Sequence, residues 1–211
     1  MRVKWLLSEV IVRPLGRMSL GLSQIERGPG GGVSNGQVKE DGTFRFSGVG
    51  LSKYALNVIS PGGAYLKSAR FGGQDVLHAP IDTTSGTGGT LDLVFSSKVA
   101  NITGSVHNEK GEASAGVMVT LWPKIPDPSP LGVRPALTDQ NGGFKFQGLA
   151  PGDYYVAAWE DVDQGLLQSA DFLSRFTGDA GAIKLAEGGQ ESADLKPVPA
   201  EKIAIEIAKL Q

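Results

Sequence analysis

Hydrophobic and polar residues alternate along most of this chain in short runs cut by glycine and proline. A period of two predicts half-buried β-strands. The clearest run is Phe144-Lys145-Phe146, which follows Asp139-Gln140-Asn141-Gly142-Gly143. Asn141-Gly142 predicts a tight hairpin turn, because both residues tolerate the positive φ such a turn needs. Ala150-Pro151-Gly152-Asp153 predicts a second turn, with proline pre-setting φ and glycine permissive after it. In the strand that follows, Tyr154, Val156 and Ala158 share one face, and Tyr155, Ala157 and Trp159 the other.

The same unit occurs 100 residues earlier. Gly42, Phe44, Phe46, Gly48 and Tyr54 align without a gap with Gly142, Phe144, Phe146, Gly148 and Tyr154. Val49 with Leu149, and Leu56 with Val156, keep the hydrophobic character. Matching glycines, alternate aromatics and a tyrosine are what one backbone plan used twice leaves behind. So long a period predicts tandem domains, each of a size that suits a seven-strand sandwich. The expected division is 1–98, 99–198 and a tail at 199–211.

Further strands are expected at Val3 to Val12, Ala55 to Ile59, Tyr65 to Phe71 and Thr90 to Phe95 in the first half. Asn101 to Val106, Val117 to Trp122, Ala182 to Leu185 and Ser192 to Val198 continue the pattern in the second. Residues 27–36 read as a loop. Residues 123–135 hold five prolines and read as a long surface excursion. Ser169 to Phe176 is a short helix candidate, with Ser169 as its cap and Phe172, Leu173 and Phe176 on one face. Pro199-Ala200-Glu201 suits a helix start, with Ile203, Ile207 and Leu210 at helical spacing. The alternation Ile203, Ile205, Ile207 also permits a strand. The fold class predicted is all-β: two tandem antiparallel Ig-like or prealbumin-like β-sandwiches with a short C-terminal helix. Phe44, Phe46, Tyr54, Leu56, Val119, Leu121, Phe144, Phe146, Leu149, Tyr154 and Val156 are the expected core.

Composition narrows the chemistry. The net charge of −2 gives no electrostatic reason to expect nucleic acid as a partner. The absence of cysteine removes disulfides, thiol nucleophiles and thiolate metal sites. Two isolated histidines, His78 and His107, supply little for a triad or a metal. No apolar run reaches the length of about 20 residues needed to cross a membrane, so no membrane insertion is expected. The opening Met1-Arg2-Val3-Lys4-Trp5-Leu6-Leu7 imitates a signal peptide, but Glu9 and Arg13-Pro14 interrupt it and no small-residue cleavage site follows.

Candidate sites are few. Asp161-Val162-Asp163-Gln164-Gly165 has alternating carboxylates, yet its glycine comes one position early for a calcium loop and Phe172 stands where the bidentate Glu belongs. A solvated loop is expected there. The glycine runs at 28–32 and 85–89 open no helix, so they suit flexible loops better than a phosphate cradle. Glu160 and Asp161 read as surface charge in the absence of an activating partner. No serine sits in a Gly-x-Ser-x-Gly elbow. No catalytic, cofactor or metal residues are assigned. Trp122, Tyr155 and Trp159 are the candidate carbohydrate-binding residues, since aromatic faces stack on pyranose rings. Core packing is the commoner use of aromatics on strands.

Several stretches together carry a family resemblance. They are Ile102-Thr103-Gly104-Ser105-Val106, Gly116 to Leu121, Thr138 to Phe144, and Phe146 with Gly148-Leu149-Ala150-Pro151-Gly152 and Tyr154. On these residues the chain resembles the carboxypeptidase regulatory-like domains, a prealbumin-like superfamily related to starch-binding-like folds. Arg70 to Leu77, Ala158-Trp159-Glu160-Asp161 and Asp171-Phe172-Leu173 look like tandem copies in multi-domain envelope proteins of acidobacteria. The pattern departs in two places. Gly50-Leu51-Ser52-Lys53 replaces the usual Pro-Gly turn, and the first domain lacks a Val-x-Gly-x-Val opening strand, as an N-terminally incomplete member would.

The resemblance implies a non-catalytic structural or interaction module of a larger envelope-associated or secreted bacterial protein. Its expected partners are other protein domains or extracellular polysaccharide. The alternative is a carbohydrate-binding module. Domains of collagen-adhesin B type, on a related plan, form Lys–Asn cross-links. Here the strand pattern turns Lys145 outward and offers no Lys, Asn and acid trio for the core.

Overall fold

The computed structural model describes residues 2–5 as backbone, and residues 18–25, 32–39, 41–60, 63–86, 88–125 and 132–209 in full. The described chain is a pair of β-sandwiches with two helices. Two compact units divide it, the first running to Val99 and the second starting at Ala100.

The first unit contains β1 (Arg2–Trp5), β2 (Ser19–Gln24), β3 (Val33–Gln37), β4 (Lys53–Ile59), β5 (Tyr65–Phe71), β6 (Gln74–Asp75), β7 (Ile81–Asp82) and β8 (Leu91–Ser96). They form two sheets, ordered β1-β8-β5-β6 and β3-β2-β4-β7. Leu20, Leu22, Tyr54 and Ile81 from one sheet meet Ala69, Leu91, Leu93 and Phe95 from the other, with Phe44 and Phe46 between them.

The second unit contains β9 (Ala100–Val106), β10 (Met118–Pro123), β11 (Arg134–Leu137), β12 (Gly143–Leu149) and β13 (Gly152–Trp159). A 3-10 turn (Leu166–Gln168) and α1 (Ala170–Ser174) follow, then β14 (Gly181–Leu185), β15 (Gln190–Leu195), β16 (Pro197–Val198) and α2 (Ala200–Ala208). One sheet is ordered β12-β9-β15 and the other β11-β10-β13-β14, with β16 beside β13. Ile102, Val106, Val119, Leu121, Phe144, Phe146, Leu149 and Val156 fill the space between.

Both units follow one topology. In each, the first described strand pairs in parallel with a strand from near the end of the unit, β1 with β8 and β9 with β15. The second strand then pairs antiparallel with its two neighbours, β2 with β3 and β4, and β10 with β11 and β13. The sheets are therefore antiparallel with parallel additions, of which β16 on β13 is another.

Two local devices hold each copy. In the second unit the Asp139 carboxylate accepts the Asn141 and Gly143 N–H groups, and the Asp139 N–H donates to the Gly143 carbonyl at 2.8 Å. Gly142, at φ 73°, closes this loop, which is wider than the two-residue hairpin expected from Asn141-Gly142. In the first unit the Asp41 carboxylate accepts the Thr43 N–H and hydroxyl, bonds that hold it below its usual pKa. The second device is a tyrosine corner. The Tyr154 hydroxyl donates to the Ala150 carbonyl at 2.9 Å, and the Tyr54 hydroxyl accepts the Gly50 N–H at 3.0 Å. The corner thus survives in the first unit although Gly50-Leu51-Ser52-Lys53 has replaced the Pro-Gly turn.

Four expectations need correction or limits. Phe44 and Phe46 are buried but do not lie in a named strand, unlike Phe144 and Phe146 in β12. β12 is held by a ladder with β9, whereas the described residues of β1 pair with β8. Residues 33–36, expected as loop, belong to β3, because β2 supplies a ladder partner that propensity cannot foresee. Arg134 and Pro135, assigned to the proline-rich excursion, begin β11, at the edge of its sheet where a missing N–H costs least. Residues 6–12 of the expected opening strand, 27–31 and 126–131 of the expected loops, and Leu210 lie outside the described residues.

Gly104 of β9 stands opposite Phe144 of β12 and Ala193 of β15. A Cβ there would collide with the Ala193 carbonyl and the Phe144 ring. Gly104→Ala should therefore lower the unfolding free energy in a urea titration by about 1–3 kcal/mol, the usual cost of overpacking. Tyr154→Phe, which removes one hydrogen bond and keeps the ring, should cost about 1 kcal/mol.

Candidate functional site

β13 presents a different set of residues on each face. Val156 and Ala158 enter the sandwich core, while Tyr155, Ala157 and Trp159 enter a second apolar cluster on the outer face of the sheet. α1 and α2 cover that outer face. Ser169 caps α1 by accepting the Phe172 N–H, and Phe172, Leu173 and Phe176 are buried against Trp159. In α2, Ile203 is buried while Ile205 is 51% exposed, which resolves the helix-or-strand ambiguity of the tail in favour of the helix. Ile207 packs against the cluster beside Ile203.

The three candidate carbohydrate-binding residues all lie in this cluster. Trp159 is 1% exposed, and its indole N–H donates to the buried Thr120 hydroxyl at 3.1 Å. Its ring meets Phe176 edge-on at 5.0 Å, Phe172 at 5.8 Å and Trp122 in a stack at 6.4 Å. Trp122 is 6% exposed and also contacts Tyr155, at 5.6 Å. Tyr155 is half-buried, and the Lys124 ammonium lies over its ring at 4.9 Å. A sugar needs an accessible aromatic face. Trp122 and Trp159 spend theirs on protein neighbours, and packing explains their placement without a ligand.

Polar groups nearby hold the helices in place. Glu160, expected as plain surface charge, accepts the Ala200 N–H at 2.8 Å and so caps the start of α2. Lys202 pairs with Asp179, and Arg175 reaches Glu206 at 3.5 Å. The Glu206 carboxyl is held below its ordinary pKa, first by its hydrogen bond from Lys209 and then by Arg175. A lowered carboxylate pKa contributes stability above the unfolded value and loses it as pH falls through the folded one. In the acidic loop, the Asp163 carboxylate accepts the Gly165 N–H at 2.7 Å, and Asp161 is exposed. Among the described residues no group of His, Asp or Glu is arranged to hold a metal ion.

The first unit has an open cleft of about 180 Å³, lined by Leu22, Phe46, Val49, Phe71, Ile81 and Leu91 together with Gly48 and Thr83. Its lining holds no titratable side chain, so it offers no acid–base chemistry. Buried polar side chains among the described residues are Thr83, Ser96, Thr120 and Thr138, and Lys145 is exposed. Glu160 as a helix cap was invisible in sequence, because its partner lies 40 residues away.

No family model matches the chain, and no curated protein does. Some solved structures are weakly similar to it. One is a candidate carbohydrate-binding protein from Pseudomonas aeruginosa, at 17% identity and TM-score 0.31, covering 46% of this chain and 87% of that one. Another is a minor pilin of Streptococcus agalactiae, at 14% identity and TM-score 0.34, covering 87% and 84%. A third is the dioxygenase domain of a dioxygenase–carbohydrate-binding fusion from Streptomyces sp. SirexAA-E, at 13% identity and TM-score 0.31, covering 48% and 80%. Likenesses this weak carry no argument about architecture. Their functions do not transfer at this distance. No helix among the described residues is long and apolar enough to cross a membrane.

Burial of both tryptophans has an optical consequence. In a Trp5→Phe background, emission should be blue-shifted and weakly quenched by acrylamide. Thr120→Val should cost about 1–3 kcal/mol in stability by leaving the Trp159 N–H unpaired.

Proposed function

We propose that the chain is a non-catalytic structural and interaction module of a larger envelope-associated or secreted bacterial protein, built from two separately folding domains that meet near residue 99. The carboxypeptidase regulatory-like resemblance supports the same reading. The observation that carries it is the use made of the second unit's conspicuous residues. Trp122 and Trp159 pack, Glu160 caps a helix and Asp163 closes a turn. Rigid sandwiches of this kind act by holding surfaces and loops toward a partner. That partner is another protein domain, and extracellular polysaccharide is the alternative.

Residues 99–211 expressed alone should fold cooperatively and keep the near-ultraviolet signal of the buried tryptophans. A molten product would reject the two-domain reading. Turnover of ester, peptide or glycoside substrates that one point substitution abolishes would reject the non-catalytic class. On polysaccharide affinity gels, wild type should migrate unretarded. Retardation that Tyr155→Ala abolishes, with folding intact, would transfer the assignment to a carbohydrate-binding module.

A further inference from the structure

The two units differ most in the connection that follows β4 in one and β13 in the other. In the first unit this segment returns as β5, which pairs antiparallel with β8, so β8 lies between β1 and β5. In the second unit the corresponding segment forms the 3-10 turn and α1, which go to the outer face. β15, the counterpart of β8, therefore has β9 on one side and ends its sheet on the other. Among the described residues no strand of the second unit takes the position that β5 fills in the first.

The open edge has free bonding capacity. Asn101 N–H donates to the Gly189 carbonyl and His107 N–H to the Leu195 carbonyl, so the odd-numbered residues face β9. In a parallel ladder the alternate residues then turn N–H and C=O the other way. Those residues are Gln190, Ser192 and Asp194, all exposed. β15 has no proline, and its register with β9 is unbroken from Gln190 to Leu195. A proline and a bulge, two of the devices that blunt an edge, are thus missing from it, and charge is the one that remains.

Charge selects among strands. β15 carries Glu191 and Asp194 and no cation, which disfavours pairing with a second β15. In the first unit the acid of β8, Asp92, stands opposite Arg70 of β5. We propose that the open edge of β15 is a strand-addition site for an extended segment of a partner protein, antiparallel to β15 and alternating apolar with basic residues. Main-chain bonds supply affinity, and Asp194, on the face away from Ala193 and Leu195, supplies preference for the basic positions. This gives the interaction module above a specific binding edge and rests on that reading.

The probe is a labelled peptide of residues 64–72, AYLKSARFG, titrated into the full chain by fluorescence anisotropy with amide exchange read by NMR. Saturable binding is expected, with new protection at Gln190, Ser192 and Asp194. Ser192→Pro deletes an outward N–H without touching a bond to β9, and should weaken binding about tenfold or more. Should that variant misfold, Glu191→Lys with Asp194→Lys, or a peptide with both cations replaced by Glu, should weaken it comparably. No saturable binding, undiminished binding by a folded Ser192→Pro, or protection appearing at β8 through strand exchange would each overturn the proposal. Partner capture by the whole protein that survives Ser192→Pro would remove this edge while leaving the module reading standing.

Discussion

The second unit depends on one strand serving two cores. β13 alternates Tyr154, Val156 and Ala158 toward the sandwich with Tyr155, Ala157 and Trp159 toward the outer cluster. A sheet face carrying two tryptophans and a tyrosine is unstable in water, since each large side chain left exposed forgoes about 1.5–3 kcal/mol of burial. α1 and α2 exist to cover it. They are too short to be stable alone, so the aromatic face and the helices stabilise each other. The Trp159–Thr120 hydrogen bond fixes the indole at the centre of that contact.

The first unit solves the same folding problem with the same topology and a different use of one connection. Tyr65 to Phe71 alternates and becomes β5, whereas Phe172, Leu173 and Phe176 recur at helical spacing and become the face of α1 and its following turn. A change of hydrophobic period, from two toward 3.6, redirected the segment from a place beside β8 in one sheet to the face of the other. Tyrosine corners and carboxylate-braced turns, local devices independent of that choice, persist in both copies.

What was legible in the sequence is what the local pattern determines. Phe44, Phe46, Phe144 and Phe146 are buried as their alternation required, Ser169 caps α1, and the two faces of β13 separate as counted. What escaped depends on distant partners. The parallel pairing of β9 with β15 joins residues 89 apart, and nothing in either segment announces its direction. β3 is a strand because β2 lies beside it, not because Val33-Ser34-Asn35-Gly36 favours one. For the aromatic trio, spacing showed that Trp159 and Tyr155 share a face. Whether that face met water or helices was decided by α1 and α2, folded from elsewhere in the chain.

The parallel pairing of early and late strands also sets how each unit answers to tension. Pulling on the chain from the start of β9 and the end of β15 loads a parallel pair at opposite ends, in register from Asn101–Gln190 to Val106–Leu195. The bonds of that ladder are then strained together in shear and cannot open one after another like a zip. Resistance to force is governed by the unfolding barrier and not by equilibrium stability. β1 and β8 repeat the parallel arrangement, described from Arg2–Asp92 to Trp5–Phe95. Under a stretching load such a pair acts as a clamp, whose bonds break together or hold together.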